Sequence, residues 1–327
     1  MSRLIRGYRQ SRCVAVAVQL GLAERLAAGP RTASELAADV GAHAPSLRRL
    51  LRALQAMGAV TEDGSGRYSI TPLGDEMRHD RLGPAALFFN SEHHLLAWLH
   101  LDHSVRTGER AFDFVFGMRS WEYYMTHPAE AAIFDRAMSS ITGPVSTAVA
   151  EAYDFSRVHV VADIGGGDGT LLTQILRRHA SVRGLLFDLP DVVERAREKL
   201  DAAGLLDRCE IVGGSFLDWV PPGADLYLMK SIIHDWEEPF VGTILEHCRA
   251  ALGASGAPLL LIERVLPKKI GPEAMDDLLG DLDMLANPGG QERTESEYAA
   301  LLRSAGFRLD RIIPTPTPFK VLESLPT

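Results

Sequence analysis

Cysteine is scarce in this chain of 327 residues, and its three cysteines are far apart. Cys13, Cys209 and Cys248 lack the spacing of a metal site, and an odd number of isolated cysteines does not suggest a disulfide framework. They suit a reducing compartment, so we expect a cytoplasmic protein. Long apolar runs are also missing, because no stretch approaches the roughly 20 residues that span a bilayer. We therefore expect no association with a membrane.

The N-terminal segment has only a short apolar run. Arginines precede the run from Cys13 to Val18, as they would in a signal peptide, but Gln19 ends it and the charged Glu24 and Arg25 follow. An amphipathic helix is the preferred interpretation, and a signal peptide is the alternative.

Basic residues are outnumbered by acidic ones, 34 to 43, which gives a net charge of −9. This balance argues against a dedicated nucleic-acid-binding protein. The charge is uneven, at +3 for residues 1–80 and −12 for the rest. That asymmetry, together with the length, predicts two units with different tasks.

Residues 1–80 have the pattern of a winged helix. One helix opens near residue 31, with Thr32 or Ser34 as the N-cap, and a second runs from Ser46 to Met57 before Gly58. Two short strands then flank an Asp-Gly turn at residues 63–64. The arginines of the second helix could reach DNA phosphates, but a helical dimerisation unit is preferred because the basic excess is small.

Residues 81–150 are predicted to be helical and are rich in aromatic side chains. Most of these belong to a core, while some could line a flat apolar pocket for a planar ligand. The aromatic residues are Phe88, Phe89, Trp98, Phe112, Phe114, Phe116, Trp121, Tyr123, Tyr124 and Phe134.

From residue 158 onward strands and helices alternate, which predicts a mostly parallel, doubly wound α/β sheet. An antiparallel pair of strands closes the chain. Strands are expected at 159–163, 184–188, 209–212, 224–230, 258–265, 307–313 and 320–323, and helices at 169–179, 191–203, 239–252 and 295–304.

A glycine-rich turn links the first strand of this region to its helix, in the sequence Asp163-Ile-Gly-Gly-Gly-Asp168-Gly. Ligands of such sheets bind at the carboxyl ends of strands, and glycines let the backbone approach them. Carboxylates beside the turn would repel a pyrophosphate but attract a cation. The turn therefore favours S-adenosylmethionine over NAD, and a loop without a ligand is the remaining alternative. Asp188 ends the next strand, where an acid binds a ribose diol.

His234 follows the strand that ends at Lys230, so it would face the same crevice. With an unperturbed pKa near 6.5, a histidine can accept a proton at neutral pH, although a structural histidine is the alternative. Glu263 lies within a buried-looking strand and needs a partner, and a histidine N–H is a natural one. For Glu292, an ion pair with Arg293 is the alternative.

The motifs DIGGGDG, FDLP, KSIIHDW, IERVLP and GGQERT resemble those of plant-type O-methyltransferases, the caffeate- and hydroxyindole-like family, and their bacterial relatives in secondary metabolism. The resemblance covers essentially the whole chain. It implies a Rossmann-like class I methyltransferase domain with a mostly parallel seven-stranded sheet, behind an N-terminal all-α, winged-helix-like dimerisation domain. We expect the chain to form a homodimer. We also expect three parts in each chain: a dimerisation domain at residues 1–80, a helical linker that contributes to the substrate pocket at 81–150, and the catalytic domain at 151–327.

The resemblance also assigns residues. His234, Glu263 and Glu292 match the catalytic set, without a metal. The family's cofactor roles fall on Gly165, Gly167, Asp188 and Lys230, and its substrate-contacting methionines are similar to Met138 and Met284. From the residues themselves we add Asp163, Leu189, Ser215 and Phe216 to the cofactor set, and Phe134 and Asp235 to the substrate candidates. Plant members usually carry an acid after the third strand for the adenine amine, whereas this chain has Ser215 and Phe216 there.

The sequence thus predicts an S-adenosylmethionine-dependent O-methyltransferase that acts on a small aromatic hydroxyl compound and releases S-adenosylhomocysteine. His234 would be the general base. One alternative keeps the cofactor but catalyses decarboxylation, hydroxylation or cyclisation, as some relatives do. A winged-helix DNA-binding regulator is another. The acidic chain argues against nucleic acid as a partner.

Overall fold

Helices and strands follow one another along a computed structural model that describes all 327 residues, except for the side chain of Arg3. The helices are α1 Ser2–Ile5, α2 Tyr8–Gln19, α3 Leu22–Ala27, α4 Ala33–Val40, α5 Ala44–Ala56, α6 Pro72–Asp75, α7 Gly83–Phe88, α8 Glu92–Leu99, α9 Leu101–Thr107, α10 Ala111–Phe116, α11 Ser120–Thr126, α12 Pro128–Ala152, α13 Thr170–Arg178, α14 Pro190–Ala202, α15 Glu238–Leu252, α16 Met275–Ala286 and α17 Glu295–Ser304. The strands are β1 Arg31–Thr32, β2 Val60–Glu62, β3 Arg67–Ile70, β4 Val160–Ile164, β5 Arg183–Asp188, β6 Cys209–Gly213, β7 Leu226–Lys230, β8 Leu259–Leu266, β9 Arg293–Thr294, β10 Phe307–Pro314 and β11 Phe319–Pro326.

The chain forms two units, and each is discontinuous in sequence. Unit 1 comprises residues 1–99 and 121–141, and unit 2 comprises residues 100–120 and 142–327. The division falls inside α12. The three-part division at residues 80 and 150 stays a prediction.

Unit 1 is mainly helical, with a small antiparallel sheet in the order β1-β3-β2. Thr32 is the N-cap of α4 and forms a capping box with Glu35, as its position predicted. The predicted hairpin is β2 and β3, and β1 adds a third strand. Leu36, Leu51 and Tyr68 are fully buried in the core of this unit.

Unit 2 contains a sheet in the order β10-β11-β8-β7-β4-β5-β6. Strands β4 to β8 pair in parallel, β10 and β11 pair antiparallel, and the short β9 lies beside β8. The expected fold class is therefore confirmed. Alternate residues of β4 belong to two separate core clusters, so apolar layers cover both faces of the sheet. In the described residues, no helix is long and apolar enough to cross a membrane.

Candidate active site

The glycine-rich turn follows β4 and leads into α13. Gly165, Gly167 and Gly169 all have positive φ angles, between 60° and 75°. At Gly165 a Cβ atom would lie 2.5 Å from the side chain of Ile232 and 3.4 Å from the ring of Phe216. Only glycine fits there, and the close approach leaves the backbone of the turn open to a ligand.

Asp163, at the end of β4, is buried beneath this turn. A Cβ atom on Gly166 would lie 2.9 Å from the carboxyl carbon of Asp163, whose Oδ2 has no hydrogen-bond partner. Burial, together with nearby Asp188 and Asp168, raises the pKa of Asp163 to about 7, although Lys230 opposes the shift. A buried carboxyl oxygen without a donor suits a ligand that brings a cation or an N–H group.

Asp188 is oriented by the backbone of the turn. Its Oδ2 accepts from the Gly167 N–H at 2.8 Å, and its Oδ1 accepts from the Leu189 N–H at 2.7 Å. Burial raises the pKa of Asp188, and these two hydrogen bonds oppose that rise. Each oxygen keeps a lone pair for a further donor, such as a ribose hydroxyl. The Leu189 side chain is exposed beside it.

Asp168, the second acid of the turn, forms an ion pair with a lysine. Lys199 of α14 donates to its Oδ2 at 2.7 Å, and Thr170 donates to its Oδ1. Burial would raise the pKa of Asp168, but these partners lower it. Asp168 is therefore already paired with a cation, whereas Asp163 has an oxygen without a donor, and the expectation that both acids attract a cationic ligand stays a prediction. Sequence reasoning missed Lys199, because no motif marks it.

The segment after β6 supplies an apolar wall. Phe216 lies beside Gly165, and its ring meets that of Trp236 edge to face at 5.7 Å between centroids. The Ser215 hydroxyl accepts from the Leu217 N–H, so its own hydrogen stays available for an acceptor. Trp236 belongs to the KSIIHDW motif but was not predicted as a site residue.

Lys230 ends β7 between the two groups of acids. Its ammonium group donates to the hydroxyls of Thr142 and Ser231, both at 3.3 Å. Burial lowers the pKa of Lys230, and the charges of Asp163 and Glu263 oppose that shift. Among the described residues, Ser231 is the one non-glycine with a positive φ, at 56°. Such strain is typical of functional turns.

His234 lies in the short 3₁₀ turn Ile233–Asp235 that follows β7. Its Nδ1 is 3.0 Å from Glu292 Oε1 and 3.4 Å from Glu263 Oε2. On the other side of the ring, Nε2 is 3.5 Å from Asp235 Oδ1. Donation from Nδ1 to Glu292 therefore leaves Nε2 as the nitrogen that can accept a proton.

Glu263 bonds the backbone of the His234 turn. Its Oε1 accepts from the N–H groups of Ile232 and Ile233 at 3.1 and 3.0 Å. The expectation that a histidine N–H is its partner needs refinement, because the imidazole contacts only the second oxygen, and at the longer distance. Glu263 thus caps the turn as well as facing the ring.

Glu292 is anchored through a hydrogen bond of its backbone N–H. Its N–H donates to Asp281 Oδ1 of α16 at 2.8 Å, while its side chain bonds His234. The alternative of an ion pair with Arg293 is not what the structure shows, because the Arg293 guanidinium donates to carbonyl groups. The neighbouring Gly290 packs against the His234 carbonyl, where a Cβ would lie only 1.7 Å from the oxygen.

The electrostatics of this cluster favour a protonated imidazole. Burial lowers the pKa of His234, but Glu263, Asp235 and Glu292 outweigh burial and raise it to about 10. Burial raises the pKa of Glu263 to about 7 and also raises that of Asp235. The ligand atoms of His234, Glu263 and Glu292 lie within 4.8 Å of one another, so they could also hold a metal ion. The absence of a metal stays a prediction.

The substrate candidates fall in both units. Asp235 lies beside the imidazole, and Met284 lies on α16, where its carbonyl accepts from the Gly289 N–H. Phe134 and Met138 belong to α12 within unit 1. The Phe134 ring stacks on Tyr124 at 4.9 Å and meets Phe88 and Trp121 edge to face. Their contact with a substrate stays a prediction.

In this site, a glycine-rich turn with buried acids lies near a histidine that carboxylates hold. This combination is what we expect of an S-adenosylmethionine-dependent methyltransferase. Two family models match the chain: the O-methyltransferase domain at residues 98–308 and the O-methyltransferase dimerisation domain at residues 2–78. Phenazine O-methyltransferase PhzM of Lysobacter antibioticus is 40% identical over 99% of this chain and 95% of its own length.

Two solved structures extend this likeness. The crystal structure of LaPhzM has a TM-score of 0.91 at 39% identity, over 99% of this chain and 98% of that one. The O-methyltransferase NcsB1 from neocarzinostatin biosynthesis, in complex with S-adenosylmethionine and 2-hydroxy-5-methyl naphthoic acid, has a TM-score of 0.79 at 34% identity, over 97% and 96% of the two chains. The chain belongs to the O-methyltransferase family, and it is an S-adenosylmethionine-dependent O-methyltransferase.

Proposed function

We propose that this enzyme methylates a hydroxyl group of a small aromatic secondary metabolite, with His234 as the general base. The observation that carries the proposal is the orientation of the imidazole. Nδ1 is bonded to Glu292 at 3.0 Å, so Nε2 is the nitrogen left to take the proton of an acceptor hydroxyl. The structural relative NcsB1, solved in complex with 2-hydroxy-5-methyl naphthoic acid and with 1,4-dihydroxy-2-naphthoic acid, supports an aromatic acceptor.

The residues around the glycine turn fit the cofactor. Asp163 offers a buried oxygen without a donor, Asp188 offers lone pairs to a ribose, and Phe216 offers a ring face to adenine. We assign Gly165, Gly167, Leu189, Ser215 and Lys230 to the same site. S-adenosylmethionine, when bound, supplies a methyl group on positively charged sulfur.

In the proposed reaction, the acceptor oxygen loses its proton and gains a methyl group. Nε2 of His234 would take the hydroxyl proton, and the cofactor held by the residues around the glycine turn would supply the methyl group, whose bond to sulfur would break as the bond to oxygen forms. Although burial lowers the pKa of His234, the surrounding carboxylates raise it to about 10, so the neutral imidazole that takes this proton becomes more populated as the pH rises above 7. Most of the acceleration comes from holding oxygen and methyl in line.

Incubating the full-length enzyme with S-adenosylmethionine and a panel of acceptors tests the reaction. The panel contains a hydroxyphenazine, 1,4-dihydroxy-2-naphthoic acid and 3-amino-4-hydroxybenzoate, each with and without EDTA. We expect S-adenosylhomocysteine and an O-methylated product in equal amounts, with no effect of EDTA. A decarboxylated, hydroxylated or cyclised product formed without release of S-adenosylhomocysteine would favour the alternative chemistry.

Two matched variants test the base. We expect His234→Ala to bind S-adenosylhomocysteine with little change in affinity and to lose roughly 10²–10⁴-fold in turnover. His159→Ala, which removes an exposed histidine from the same unit, is the control. Equal turnover in both variants would refute the base role, and loss of cofactor binding in His234→Ala would indicate a structural histidine.

We also propose that residues 1–80 form a dimerisation domain, 81–150 a helical linker that contributes Phe134 and Met138 to the pocket, and 151–327 the catalytic domain. The dimerisation model that matches residues 2–78 supports a homodimer. Asp235 and Met284 complete the proposed acceptor site. A gel shift with duplex DNA at physiological salt is expected to be negative.

A further inference from the structure

Arg293 is one of the largest fully buried side chains of the protein, with 2% of its surface exposed. Arginine is seldom buried so completely unless a carboxylate pairs with it. Among the side chains that the structure describes, no carboxylate lies within ion-pairing distance of its guanidinium, 4.0 Å or less. The mechanism proposed above does not use this cation.

The guanidinium group is satisfied by neutral oxygens instead. Nη1 donates to the carbonyls of Ile233 and Gln291 at 3.3 and 3.2 Å. With the Gln291 amide turned so that its oxygen faces the arginine, that oxygen accepts from Nη2 and Nε at 3.1 and 3.3 Å. Ile233 immediately precedes His234, so this arginine reaches the turn that carries the proposed base.

The turn is held from two sides. Glu263 accepts from its N–H groups, as described above. Its carbonyls are bonded by residues 291–293, because the Gln291 N–H donates to the His234 carbonyl at 2.9 Å and Arg293 donates to that of Ile233. The same short segment contains Glu292, which bonds the imidazole. The position of the ring relative to Glu292 therefore depends on Arg293.

We propose that Arg293 is a positioning residue that fixes the His234 turn against the segment of Glu292, and so sets the Nδ1 to Oε1 hydrogen bond. The proposal rests on the proposed function, since it assigns importance to that bond. An apolar side chain of similar size would avoid the cost of burying a charge. An apolar side chain could not bond the turn, however, whereas the planar guanidinium group of arginine donates to several carbonyl oxygens at once.

The test compares two arginines that both donate to main-chain carbonyls. Arg208 bonds the carbonyls of Leu176, His179 and Val182, so Arg208→Gln is a control for lost backbone anchoring elsewhere in the unit. The first readout is the downfield proton resonance of the imidazole N–H, recorded by NMR with S-adenosylhomocysteine bound. Its absence in His234→Asn assigns it.

We expect Arg293→Gln to shift or broaden this resonance while it still binds S-adenosylhomocysteine, and Arg208→Gln to leave the resonance unchanged. With 1,4-dihydroxy-2-naphthoic acid, or whichever panel compound is methylated fastest, we expect Arg293→Gln to lose about 10²-fold in kcat. We expect KM for S-adenosylmethionine to change little. Arg293→Lys keeps the charge with one donor group, so it should give an intermediate shift.

An unchanged resonance in folded Arg293→Gln overturns the proposal, as does an equal loss of kcat in Arg208→Gln. If Arg293→Gln does not fold, the Arg293→Lys resonance decides in the same way. The resonance needs no acceptor, so this test remains valid if no panel compound is methylated. Failure of the proposed function is therefore separable from failure of the positioning role.

Discussion

Glu263 and Glu292 both face Nδ1 of His234, yet they bond different groups. Glu292 Oε1 takes the imidazole hydrogen bond, whereas Glu263 Oε1 takes two backbone N–H groups of the turn. Glu263 is fully buried, so its loss would leave those N–H groups without an acceptor. The two acids should therefore differ in their effects on stability.

We expect Glu263→Ala to be less stable than Glu263→Gln by about 2 kcal/mol or more, because each buried N–H without a partner costs about 1–3 kcal/mol. The glutamine carbonyl can still accept from the turn. Urea denaturation of the purified variants measures this difference. Equal stabilities of the alanine and glutamine variants would contradict the capping role.

Glu292 should instead govern how turnover depends on pH. The carboxylates raise the pKa of His234 to about 10, so the neutral imidazole that acts as a base becomes more populated as pH rises from 7 to 9. We expect kcat/KM to rise with pH over this range.

Glu292→Gln removes a charge that raises the pKa of His234, so the rising limb should move to lower pH while the maximal rate falls. Initial rates at saturating S-adenosylmethionine in buffers of constant ionic strength give the profile. An unmoved limb in Glu292→Gln would show that His234 does not set it.

The motifs located His234, Glu263, Glu292 and the glycine turn, because each lies at or near the end of a strand that the alternating pattern predicts. Lys199 could not be found in this way, and the GGQERT motif contains Arg293 but does not indicate its partners. Lys199 bonds Asp168 from 31 residues away, and Arg293 bonds Ile233 from 60 residues away. Such pairs depend on packing, and a single sequence does not encode them as a spacing.

At the scale of elements, the buried parallel strands were the most predictable. β4, β5, β7 and β8 read as short apolar runs bounded by turn residues, which is what burial on both faces requires. Helix α16 was not predicted, because Gly280 and several aspartates interrupt its apolar pattern. Strand β9 was not predicted either, because it has only two residues.

The segment before β9 packs closely against the His234 turn, and a substitution there tests whether the enzyme needs this close contact. Gly290 packs on the His234 carbonyl, so Gly290→Ala should displace the turn and cost about 1–3 kcal/mol in stability. We expect turnover to fall by about 10²-fold. Gly280→Ala is the control, since an added Cβ there meets nothing within 4 Å.

Because Gly280 lies in the middle of α16, Gly280→Ala should raise stability by about 0.5–1 kcal/mol and leave turnover unchanged. Thermal denaturation and initial rates measure both effects. A fully active Gly290→Ala enzyme would mean that the close approach is not needed for catalysis.

At the scale of the whole molecule, the start of the chain presents apolar side chains to solvent. Leu4, Ile5 and Tyr8 are 68%, 70% and 62% exposed, on α1 and the first residue of α2. Adjacent large apolar residues left exposed are typical of an interaction surface. Because the dimerisation model matches residues 2–78, a second copy of the chain is the partner we expect.

Ile5→Asp should therefore weaken the dimer, since dimerisation would then have to bury a charge. Ile270→Asp is a matched control, because Ile270 is also 70% exposed but lies in unit 2. Light scattering coupled to size exclusion, over a range of protein concentrations, gives the mass of each variant. We expect the native chain and Ile270→Asp to have twice the mass of one chain, and Ile5→Asp to shift toward a single chain on dilution. A dimer that Ile270→Asp disrupts and Ile5→Asp does not would place the interface outside the N-terminal helices.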